Sequence, residues 1–118
     1  MDSEFEPGDI VELIDNSQIG YGKPKLAASI GARALVYSKS VVNVHGNFEA
    51  FVHVVWIDER SNSQVDGRYY VGRFKKVGED KEFKLLLSLL DEELDEFSLF
   101  RLAKKHVEKK YNRRCLNG

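Results

Sequence analysis

Apolar and polar positions change their rhythm once along the chain, near residue 78. Before that point they come in short runs. "DIVELID" (9–15) is rich in β-branched and aliphatic residues and follows the turn signal Pro7-Gly8, which predicts a first strand. "ARALVYS" (32–38) predicts a second. In "NFEAFVHVVWID" (47–58), Phe48, Ala50, Val52, Val54 and Trp56 share one parity and Phe51, His53, Val55 and Ile57 the other. Both faces are thus mostly apolar, as a central strand requires. His45-Gly46-Asn47 supplies the hairpin turn between the second and third strands. "NSQIGYGKPKLAASIGA" (16–32), with three glycines and a proline, reads as a long loop, and "ERSNSQVDG" (59–67) as a polar one. The stretch "VDGRYYVGRFKKV" (65–77) then closes the sheet as a short strand or turn.

Beyond that point the spacing turns helical. Phe83, Leu87, Leu90, Leu94, Phe97, Phe100, Ala103, Val107 and Tyr111 follow at steps of three or four, with no Pro or Gly between Glu79 and Asn117. This predicts one long amphipathic helix, or two with a break near Ser98. A continuous 83–111 helix would extend about 43 Å at 1.5 Å per residue, longer than a small barrel, so a helical hairpin is the expected arrangement. Four or five short, turn-linked strands in under 80 residues favour a small antiparallel barrel, because closure removes exposed edges.

A chain of 118 residues has room for one ordinary domain and an appendage. With 42% apolar and 31% charged residues it should fold. No run approaches the roughly 20 apolar residues that cross a bilayer, and the acidic start "MDSEFEPGD" does not resemble a signal peptide, so no membrane and a cytosolic location are expected. The single cysteine, Cys115, and three scattered histidines make no zinc-like spacing, so no metal and no cofactor are expected.

Net charge changes the picture more than its overall value of −1 suggests. Residues 1–78 carry nine Lys/Arg against ten Asp/Glu, residues 79–100 two against eight, and residues 101–118 seven against one. Such blocks imply local electrostatic roles.

The run "FEPGDIV" (5–11), then "GARALV" (31–36), "VVWID" (54–58) and "GRYYVGRFKKV" (67–77), resembles the small SH3-like barrels of the KOW type, especially those of small phage-encoded accessory proteins. The resemblance covers about two thirds of the chain and leaves the helical part outside it. It implies an antiparallel SH3-like barrel over 1–78, to which the helical spacing adds a C-terminal helix or helical hairpin over 79–118, a mainly β plus α fold in all. Barrels of this kind take both protein and nucleic-acid ligands.

No spacing points to catalysis, and no small-molecule substrate is expected. His53 lies in an apolar strand and reads as structural, and "GYGK" (20–23) lacks the spacing and setting of a phosphate loop. The acidic cluster Asp91, Glu92, Glu93, Asp95 and Glu96 reads as the solvated face of a helix. Two features suggest binding instead. Arg101, Lys105, Lys109 and Arg113 repeat every four residues and would form a basic ridge able to track phosphates, unless paired with the acidic segment. Arg68, Tyr69, Tyr70, Arg73, Lys75 and Lys76, with Trp56 on the neighbouring strand, place aromatic rings beside cations, as stacked bases or phosphates require. Phe74 and Val77 should close the core, leaving Tyr69 or Tyr70 with Arg68 and Arg73 exposed. Nucleic acid is therefore the leading expected ligand. The competing expectation is a protein partner or a second copy, held by Leu85, Leu86, Leu89 and Leu90, since one helical stripe cannot bury so many leucines.

Overall fold

The computed structural model describes residues 5–16, 30–58, 66–90 and 92–111. The expected loops over 17–29 and 59–65, together with Asp91, Arg113 and Cys115, lie outside the described residues. Five strands, β1 (Asp9–Leu13), β2 (Arg33–Val44), β3 (Asn47–Trp56), β4 (Gly67–Tyr70) and β5 (Phe74–Glu79), form one antiparallel sheet in the order β4-β3-β2-β1-β5. A 3-10 turn, Val71–Arg73, joins β4 to β5, and these two strands do not pair, so the hydrogen-bonded sheet is not closed. Two helices, α1 (Lys81–Ser88) and α2 (Glu96–Lys110), complete an α+β fold. Among the described residues no helix is long and apolar enough to cross a membrane.

The β2–β3 hairpin turns at His45 and Gly46, whose φ values of 52° and 86° are those of a type I′ turn. Both strands run further than their apolar runs suggested, and beyond Lys39 and Phe51 the hairpin extends past the core with Val41 and Phe48 exposed.

Two bulges set which residues face which way. In β2, Val36 pairs with Val54 but Ser38 with His53, so Tyr37 is an extra residue and parity reverses after it. Unbroken alternation through Tyr37 would have put Ser38 and Ser40 on the same side as Ala34 and Val36. In β5, Gly78 pairs with Ile10 and Lys76 with Val11, which leaves Val77 bulged and 45% exposed rather than closing the core as expected. Phe74 is buried.

The two sheet faces bury separate clusters. One holds Val11, Leu13, Ala34, Val36, Val52, Val54, Trp56 and Phe74, with Tyr69 and Val71 against it. The other joins Ile10, Leu35, Tyr37, Val55 and Ile57 to Phe83, Ala103 and Val107 of the helices. The helices thus cover one sheet face. α1 ends at Ser88 and α2 begins at Glu96, so the break precedes Ser98, because Asp95 caps α2 by accepting the Ser98 N–H at 2.8 Å.

Candidate functional site

Alternation on β4 separates the two tyrosines. Tyr69 turns to the first cluster, its ring 5.6 Å from Trp56 and 6.2 Å from Phe74. Tyr70 and Arg68 turn to the helix-bearing face, where Tyr70 pairs with Phe51 and Arg68 with His53. The Phe51 and Tyr70 rings lie 4.5 Å apart, and the Arg68 guanidinium sits 4.8 Å above Phe51. From His53 the ring contacts continue: Tyr37 at 6.0 Å, then Phe100 of α2 at 5.8 Å from Tyr37, with the Lys104 ammonium 5.8 Å above Phe100. One turn earlier, Arg101 lies 5.6 Å from the exposed Phe97 ring. Three cations are therefore stacked on rings along one side of the molecule. Such pairs hold a guanidinium or ammonium in place while leaving its charge facing water.

The remaining predicted residues scatter. Arg73, expected in this patch, is 2% exposed and points inward from the 3-10 turn, donating to the carbonyl of Asp15 at 3.1 Å. Trp56 is buried on the opposite sheet face. Lys75 and Lys76 lie on β5, at the other end of the strand order from β4. Lys76 is committed to Glu79 at 2.9 Å and Asp9 at 3.4 Å, and the Glu79 bond raises its pKa. Arg101, Lys105 and Lys109 are exposed on α2, diametrically opposite Ala103 and Val107, and form no ion pair among the described residues. The alternative of pairing with the acidic segment is met by Lys110 of the same basic block, which reaches Asp80 and Glu82, and not by this row. Of the leucines, Leu86 packs against the second cluster, while Leu85, Leu89 and Leu90 are 59%, 68% and 36% exposed.

Two polar centres were not read from the sequence. Asp80, wholly buried, caps α1 by accepting the Phe83 N–H at 2.9 Å and also receives Tyr111 Oη at 2.6 Å, His106 Nε2 at 2.9 Å and Lys110 Nζ at 3.2 Å. Burial pushes its carboxyl up, but the bonds from Tyr111, Phe83, His106 and Lys110 outweigh that and hold it at about 2. Burial and the bond to Asp80 push the Tyr111 phenol up to about 12. Asp80, Glu82 and His106 offer ligand atoms within 4.8 Å of one another. Lys110 already lies 2.8 Å from Glu82 and 3.2 Å from Asp80, however, so the chain's own ammonium meets that negative charge. The N-cap role of Asp80 could have been found from an Asp at the boundary between strand-like and helical patterns. No linear spacing reveals His106 and Tyr111.

The second centre is His53. Its Nε2 lies 2.9 Å from Ser40 Oγ, its Nδ1 meets the Glu96 carboxylate, and Ser38 Oγ donates to the other Glu96 oxygen at 3.0 Å. Comparison with protein families, with curated proteins and with solved structures finds no match to this chain.

Proposed function

We propose that the protein binds single-stranded nucleic acid on its helix-bearing side, and the observation that carries this reading is the series of ring-stacked cations Arg68, Lys104 and Arg101. Cations fixed over rings suit phosphates, and the exposed Phe97 ring offers a face to an unpaired base, whose stacking tolerates any sequence because every base has a π-face. The Arg101, Lys105 and Lys109 row adds positive charge on the same helix. In this reading Lys75, Lys76 and Arg73 take no part. The strand order and the 3-10 turn between β4 and β5 support an SH3-like form for the sheet.

The test is a salt titration of binding to single-stranded DNA and RNA oligonucleotides. Each phosphate neutralised on a single strand contributes about −0.7 to the log–log slope. A slope of about −2 or steeper that becomes shallower in R68A and in R101A supports the reading. An absence of binding at low salt rejects it.

A second reading rests on Leu85, Leu89 and Leu90, whose exposure near the helix break is more apolar surface than scattered surface leucines provide. It predicts salt-insensitive association with a protein or a second copy, abolished by L85E/L89E.

A further inference from the structure

Beyond ligand binding, we propose that Ser40, His53 and Glu96 form a proton relay that makes Ser40 Oγ a nucleophile toward activated acyl groups. The three residues come from β2, β3 and the first turn of α2, and they are linked in the order that nucleophilic catalysis by serine requires. A carboxylate can only accept, so Glu96 fixes a proton on His53 Nδ1. The lone pair of Nε2 then faces Ser40 Oγ, 2.9 Å away. Ser38 orients the carboxylate through its other oxygen, and the Tyr37 ring packs edge-on against the imidazole at 6.0 Å.

The Tyr37 bulge is what brings this about. It places Ser38 and Ser40 on the face of His53, and Ser38 and His53 are direct register partners. His53 is 13% exposed and Glu96 50%, so the relay is sheltered yet reaches solvent. Arg68, the register partner of His53, lies over the ring of Phe51, itself the register partner of Ser40. It supplies a cation on the same face for charge developing on a carbonyl oxygen.

In the acyl-transfer step, Ser40 Oγ bonds to the carbonyl carbon of an activated ester and its proton passes to His53 Nε2. The bond to the leaving alkoxide or phenoxide breaks, and that group takes the proton from Nε2. Water then attacks the Ser40 ester with Nε2 as base. A carboxylic acid leaves and the serine is restored. Glu96 keeps its negative charge throughout and stabilises the imidazolium between the two transfers.

A fluorophosphonate probe tests this on the full chain, since it phosphonylates serines activated by a neighbouring base. Tandem mass spectrometry should place the adduct on Ser40, S40A should show none, and H53Q and E96Q should react about a hundredfold more slowly or less. p-Nitrophenyl acetate should give an acetyl group on the same residue. An adduct elsewhere, no adduct, or equal labelling of E96Q and the parent overturns the proposal. Because Glu96 is half exposed at a helix start, E96Q decides the matter even if H53Q fails to fold.

Discussion

Tyr111, the residue after the last turn of α2, donates its phenol to Asp80, the residue before the first turn of α1, across 2.6 Å. With the bonds from His106 and Lys110 to the same carboxylate, it ties the end of the second helix to the start of the first. Tyr111→Phe removes a hydrogen bond to a buried charge and should cost about 2 kcal/mol. Asp80→Ala also removes a helix cap and deprives His106 and Lys110 of a shared partner, leaving Lys110 with Glu82, and should cost about 3 kcal/mol or more. Urea midpoints with unchanged slopes would check both.

Acid should undo the same junction. The Asp80 carboxyl lies at about 2, below its ordinary 3.8, so its contribution is complete above the unfolded value and is lost as pH falls toward the folded one. Stability should therefore decline between about pH 4 and about pH 2, and Asp80→Asn should flatten that part of the curve. Urea midpoints measured across this range for both proteins would show it.

Tyr37 carries an aromatic contact between α2 and the sheet. Its ring meets both His53 and Phe100, and burial pushes its phenol up to about 12. Tyr37→Ala should cost about 3 kcal/mol or more, as expected for a large core truncation. Tyr37→Phe keeps the ring and should cost well under half of that. Thermal unfolding distinguishes the two.

The type I′ turn offers a change in the stabilising direction. His45 holds φ 52°, a conformation that asparagine adopts with less strain. His45→Asn should stabilise by about 0.5 kcal/mol, and Gly46→Ala, at φ 86°, should destabilise by about 1 kcal/mol. Paired denaturation curves would settle both signs.

Charge removal on the outer face of α2 should separate binding from folding. Arg101→Ala, Lys105→Ala and Lys109→Ala each touch exposed side chains and should each change stability by no more than about 0.5 kcal/mol. Combined, they should make the salt slope for oligonucleotide binding shallower by about 2.

The strands, the hairpin turn, the helical spacing and most of the core were legible in the sequence, because each rests on local rules of alternation and turn chemistry. The bulges were not. An extra residue leaves no mark in the pattern, yet Tyr37 decides where Ser38 and Ser40 point, and the insertion at Val77 turns an apolar residue outward. Arg73 was misread for a related reason: the 3-10 turn breaks the alternation that would have kept it exposed. Parity on β4 could choose between Tyr69 and Tyr70 only once β3 gave it a register. The two carboxylate–histidine pairs join residues 26 or more positions apart, beyond the reach of periodicity.

Helix α2 bears its positive row on one side and Ala103 and Val107 on the other, with Tyr111 fastening its end. What reads in the sequence as a detachable basic arm is therefore a structural beam. Cutting the chain after Phe100 would expose Leu35, Val55 and Phe83 along with removing the charges, so lost binding in such a truncation would report collapse as readily as a missing contact. Evolution faces the same constraint: the charged outer row of α2 can be retuned one side chain at a time, but the helix that bears it cannot be discarded while the sheet remains folded.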